Sequence, residues 1–163
     1  MTFPGLELLE QSLWEGEVEF PYIPGLLGFR EAPALVGALK RLRREPEVIL
    51  CDGHGLAHPR GLGLACHLGL VVGIPTIGCA KTPLFGEWKQ PGRARGANSP
   101  IVGREGEVIG VVLRTRAGVK PIFVSPGHLI DLSRAVEIVL ACSPRYRIPA
   151  PLRAAHQAAG GSS

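Results

Sequence analysis

At 163 residues the chain can bury one substantial core but not two, so it is read as a single domain over 1–156, with 157–163 as a flexible tail. A hydrophobic content of 45% argues against wholesale disorder, and no apolar run approaches the roughly 20 residues needed to cross a bilayer, so a membrane partner is not expected. The net charge of +4 favours polyanionic partners, but only mildly.

The opening "MTFPGLELLEQ" has no basic region ahead of an apolar stretch, so it does not read as a signal peptide. Within it, Leu6 to Leu13 is predicted as a short helix. "FPYIPGLLGF" carries too many prolines and glycines for regular structure and is predicted as a stiff loop. Glu31 to Leu42 reads as a helix, with Ala34, Leu35, Ala38, Leu39 and Leu42 on one face. Val48 to Cys51 is predicted as a short buried strand, Gly61 to Val72 as an apolar helix, and Thr76 to Ala80 as a second strand. "EWKQPGRARGANSPIVG" is read as an irregular basic loop. "EVIGVVLRT" and "VKPIFVS" form a hairpin candidate around Gly118. Leu132 to Ala141 is a helix, and "PAPLRAAHQAAGGSS" begins as one and frays.

Strand, helix, strand with short connections implies an α/β fold with at least one parallel pair, and the hairpin makes the sheet mixed. The four cysteines, Cys51, Cys66, Cys79 and Cys142, form no C-x-x-C pair and sit in apolar surroundings. They read as buried thiols of a cytoplasmic protein rather than as zinc ligands or a disulfide frame.

In open α/β sheets the active crevice lies beyond the carboxyl ends of strands. Asp52 occupies such an end, Lys81 follows the next strand, and His128 follows the strand that ends in "FVS". Asp52 either caps a turn or holds something that needs a negative charge. Gly53 and Gly55 beside it permit close approach of a large group. His54 and His58 are four residues apart, but glycines and Pro59 place them in a loop with no glutamate between, against a zinc-protease motif. Lys81 is either solvated or a compact charge for a phosphate. His128 is either a loop residue or a group for proton transfer or phosphate contact. Tyr22, between Pro21 and Pro24, is either tucked onto the core or presented as a rigid wedge of the kind that enters base stacks. Glu31 is open to a helix-capping reading.

Taken together, "FPYIPGLLGFREAPAL", "DGHGLAHPRGLGLACHLG", "PTIGCAKTPLFG", "GVVLRTRAGVKPIFVSPGH" and "YRIPAPLRAAH" closely resemble the endonuclease V family, in order from about Gly5 to about His156. The resemblance implies an RNase H-like mixed sheet flanked by helices. It also implies a DNA repair endonuclease that nicks at the second phosphodiester bond 3′ to deoxyinosine, using Mg²⁺ or Mn²⁺. Some family members act on inosine in RNA, so both nucleic acids stay open as partners. On this chain the resemblance makes Asp52 and Glu31 metal-binding carboxylates. Lys81 and His128 would handle the attacked phosphate and the attacking water or leaving oxygen. Tyr22 would fill the gap left by the displaced base, Gly25, Gly53 and Gly55 would line the hypoxanthine pocket, and His58 would lie close to the scissile region. The basic stretch from Lys89 to Arg95 would track the backbone. The family pattern opens on strands of which the first carries a further metal-binding aspartate, whereas no aspartate precedes Asp52 here. The expectation is therefore an N-terminally truncated domain that cleaves poorly or not at all. The alternative is an impaired, inosine-binding remnant.

Overall fold

A computed structural model describes residues 1–24 and 26–160 of the chain. In chain order the elements are α1 (Leu27–Leu39), β1 (Ile49–Cys51), α2 (Leu64–Val72), β2 (Thr76–Ala80), β3 (Asn98–Val102), β4 (Val108–Leu113), β5 (Ile122–His128), α3 (Leu132–Ala141) and α4 (Ala150–Ala158). The five strands form one sheet in the order β1-β2-β5-β4-β3. β1 and β2 are parallel, with Ile49 opposite Thr76 and Cys51 opposite Gly78. The remaining pairs are antiparallel, so the sheet is mixed, as expected.

Period-2 alternation divides the strands between two faces. Ile77, Cys79, Val111, Leu113, Ile122 and Val124 pack against Ala135, Ile138 and Val139 of α3. On the other face Ala80, Ile101, Ile109, Val112 and Phe123 gather with Ala57 and Trp88. That face is extended by Cys51 with Ala65 and Leu68 of α2, over which Leu35, Val36 and Leu39 of α1 close. All four cysteines are free and buried.

Thr76–Ala80 and Leu132–Ala141 have the bounds expected of them. The second is fixed by Asp131, whose carboxylate accepts the Arg134 N–H at 2.8 Å as an N-cap. Other expectations are corrected. Residues Leu6 to Leu13 are not helical. Leu6 sits at a φ of 58° and packs on the α3 face, the Glu10 carboxylate accepts the Arg43 N–H, and the Ser12 hydroxyl donates to the Ala38 carbonyl. Tertiary contacts override a weak local propensity there. α1 starts four residues before Glu31 and ends at Leu39, taking up "LGF" from the expected loop and carrying Pro33 inside it. The basic loop contains a strand, β3, disguised by Pro100. It is an outermost strand, where a residue without an N–H is tolerated. β5 runs on through Gly127 to His128, three residues past "FVS", and α4 continues to Ala158.

Candidate active site

The loop after β1 turns at once back over the sheet. Gly53 N–H donates to the Cys51 carbonyl at 2.9 Å, Gly55 N–H to the Ser125 hydroxyl at 2.8 Å, and Leu56 N–H to the Pro126 carbonyl at 2.9 Å. A Cβ on Gly55 would stand 2.0 Å from the Pro126 oxygen, so this glycine is required for the loop to lie on β5. That close backbone approach is internal, a reason for the glycine that the motif alone did not reveal. Gly53 is half-buried, and a Cβ there would meet Leu64 at 3.3 Å.

This turn leaves the Asp52 carboxylate at the carboxyl end of the parallel β1–β2 pair, beside the residue that follows β2. Lys81 Nζ donates to Asp52 Oδ2 at 3.0 Å. Asp52 therefore does not serve as a turn cap among the described residues, since its carboxylate engages a lysine and not a backbone N–H. Stability does not account for the pair either. Both side chains are about half exposed, at 47% and 51%, and exposed ion pairs contribute about 0–1 kcal/mol.

Glu31 enters from α1. Burial raises its pKa first, the negative charge of Asp52 raises it further, and Arg30 beside it pulls it down. Two carboxylates from separate elements thus share one electrostatic neighbourhood. Among the described residues no cluster of three or more His, Cys, Asp or Glu makes a ready-built cage. Oxygen donors in this number suit Mg²⁺, which takes one or two carboxylates and completes its shell with water and phosphate. The two residues fit such an ion, and it would relieve their mutual repulsion.

His128 sits elsewhere. β5 runs antiparallel to β2, so His128 is level with Thr76, at the opposite end of β2 from Lys81. Its Cβ lies against α2, where a Cβ on Gly69 would approach it to 2.3 Å. The crevice expected to gather three strand ends gathers two. In exchange, α4 brings His156 into a cleft of about 460 Å³ that Asp52, Lys81, Arg116, Arg147 and Arg153 also line. Sequence reasoning missed His156, which lies in the "YRIPAPLRAAH" motif but outside any strand end. Arg147 ties this cleft together, its guanidinium donating to the Lys81, Lys120 and Pro121 carbonyls at 3.1, 2.8 and 2.9 Å. Burial lowers its pKa.

Around the pair, His54 is half-buried with Nδ1 sequestered and without a hydrogen-bond partner among the described residues. Burial lowers its pKa, a hydrogen bond with the Thr82 backbone raises it, and neighbouring His58 lowers it again. His58 is buried, and its Nδ1 accepts the Arg60 N–H at 3.1 Å. Tyr22 is 64% exposed, with the Arg30 guanidinium 5.8 Å from its ring centre. The tucked-in alternative for this tyrosine is thereby excluded. Gly25 lies outside the described residues. Arg95, expected to meet a nucleic-acid backbone, bonds instead to the Leu140 and Ser143 carbonyls at 2.7 and 3.3 Å.

The Endonuclease V family model matches residues 1–157. The chain belongs to the endonuclease V family. An Endonuclease V from Trichormus variabilis is 50% identical over 159 residues, 98% of this chain and 72% of that relative. The crystal structure of the Endonuclease V from Streptomyces avermitilis superposes with a TM-score of 0.84 at 50% identity, covering 88% of this chain. The chain spans 62% of the length of that structure, which is less than two thirds. An Endonuclease V from Ciona intestinalis, solved in complex with a 23mer DNA containing an inosine followed by a ribo-adenosine, matches at a TM-score of 0.74 and 31% identity, over 86% of this chain and 66% of its own. The mixed sheet and its helices are accordingly the RNase H-like fold of endonuclease V structures.

Proposed function

We propose that the chain is a metal-dependent DNA repair endonuclease that nicks at the second phosphodiester bond 3′ to deoxyinosine. The observation that carries this reading is the Asp52–Lys81 pair, 3.0 Å apart at the carboxyl end of the parallel strands, with the Glu31 carboxylate in its field. The inosine-containing DNA held by the Ciona intestinalis relative supports the substrate class.

Asp52 and Glu31 would hold Mg²⁺ or Mn²⁺, which when bound activates water and offsets charge on a phosphate oxygen. Lys81, released from Asp52 by a cation or a substrate, neutralises the attacked phosphate as a point charge. Arg147 fixes the Lys81 main chain and so the lysine's starting point. His156, which lines the cleft, would exchange a proton there, and His128 supports the α2 face. Tyr22, exposed and stiffened by its prolines, fills the gap in the stack. Deoxyinosine pairs weakly, so its extrusion costs less than that of a normal base, and selectivity begins there. Gly53 would contribute backbone to the pocket, Gly55 would seat the loop that carries it on β5, and His58 would hold that loop. Inosine-containing RNA fits the same chemistry.

A second reading, binding without turnover, draws on the same site. Among the described residues no third His, Cys, Asp or Glu joins Asp52 and Glu31 in a group that could hold a metal ion. The discriminating experiment is cleavage of a labelled duplex with one deoxyinosine, in Mg²⁺ or Mn²⁺, by the chain and its Asp52→Asn and Lys81→Ala variants. Nicking by the parent and a loss of about 100-fold or more in both variants, the scale of one electrostatic catalytic contact, is expected. Tight, deoxyinosine-selective binding with no nick by the parent would establish the second reading.

A further inference from the structure

The cleft beside Asp52 and Lys81 carries more positive charge than its own residues neutralise. Lys81 is matched by Asp52, and Arg147 is occupied by three carbonyls. Arg116 and Arg153 have no such match. Among the described residues the ion pairs are Lys81–Asp52 and Arg134–Glu137. Arg153 is also held in place, its guanidinium lying 3.7 Å from the ring centre of Tyr146, with Arg145 at 5.4 Å from the same ring. Stacking on an aromatic face fixes the plane of a guanidinium and leaves its N–H edges free for an anion. Two charges left uncompensated in a concave site, one of them oriented in advance, form a recognition element for phosphate oxygens.

We propose that Arg116 and Arg153 bind a phosphodiester of the polynucleotide strand next to the one at Asp52–Lys81, and that Tyr146 is a positioning residue for Arg153. The inference rests on reading Asp52–Lys81 as the site of phosphodiester chemistry, because the shared cleft makes the two phosphates neighbours on one strand. Such an interaction carries no sequence information. It sets the register of the strand and adds affinity that salt weakens.

The test is fluorescence anisotropy on two labelled duplexes, identical except for one deoxyinosine, in EDTA over a salt series. The proteins are the chain, Arg116→Glu, Arg153→Glu, Tyr146→Ala, Tyr146→Phe, and Arg134→Glu as a charge-matched control on α3. The expected result is that each of Arg116→Glu and Arg153→Glu weakens both duplexes equally, by roughly tenfold, and lowers the salt slope by about 0.9 for each phosphate that is no longer neutralised. Tyr146→Ala weakens binding in the same uniform way, Tyr146→Phe restores it, and Arg134→Glu matches the parent. Thermal melts, expected to be unchanged because Arg116 and Tyr146 are exposed and Arg153 is half-buried, separate binding from folding. Variants at Arg116 and Arg153 that bind like Arg134→Glu overturn the proposal, even if the parent still prefers deoxyinosine. If both arginines matter but the parent ignores deoxyinosine, the strand interaction stands and the substrate reading falls. A parent that binds neither duplex overturns both.

Discussion

Asp52 and Gly55 sit three residues apart and answer to different physics. The Asp52–Lys81 pair is half exposed and contributes little to folding, so its loss is expected to show in chemistry and not in stability. Lys81→Ala and Asp52→Asn should melt within about 1 kcal/mol of the parent, the range for an exposed pair, while cleavage collapses. Thermal unfolding beside the nicking assay checks this, and a large loss of stability in either would assign the pair to the fold. Gly55 is the reverse case. Any Cβ there meets the Pro126 oxygen at 2.0 Å, so Gly55→Ala must push the loop off β5. A loss of about 2–3 kcal/mol in urea unfolding is expected, the scale of overpacking a tight contact. Both residues belong to one legible motif, "DGHG", and nothing in its spelling separates the carboxylate that is free to act from the glycine that is needed to pack.

Among the elements, those whose signals are local were legible. Asp131 precedes an amphipathic run and caps α3 where capping chemistry places it. Asp131→Ala is expected to cost about 1 kcal/mol, read as a lower denaturation midpoint, with Asp131→Ser retaining most of the stability. β3 was not legible, because proline and glycine mark loops unless the strand happens to lie at a sheet border. The segment from Leu6 to Leu13 was not legible either, since it is held by partners more than twenty-five residues away, at Ala38 and Arg43. The direction of β5 decided the fate of His128. A strand end is a site only if it lies at the same end of the sheet as the others, and antiparallel pairing sends it to the opposite one. α4 then supplied His156 from a stretch whose sequence signal was only helical.

At the scale of the whole molecule, burial of the thiols couples the fold to pH. Desolvation raises Cys51 from an ordinary 9.0 to about 12, and Cys79 is also raised well above its usual value by burial. In the unfolded chain these thiols ionise near the ordinary value, whereas in the folded chain they remain protonated. Unfolding therefore releases protons as pH rises between the two, and stability that is full below about 9 is lost toward about 12. In reducing buffer the urea midpoint is expected to fall between about pH 8 and about pH 10, with Cys51→Ala falling less steeply over that interval. An equal slope in the variant would place the linkage on other groups. By itself, the sequence determined what depends on neighbours along the chain. That covers the α/β class, the mixed sheet, the bounds of β2 and α3, the buried free thiols, and Asp52 and Lys81 as the polar ends of adjacent strands. Only the tertiary structure decided which distant groups share the space beyond those ends. Glu31 reaches it from α1 and His156 from α4, while His128 is carried away by β5. The physical reason is that local pattern fixes which face a side chain takes, whereas strand order and direction fix which end of the sheet it reaches.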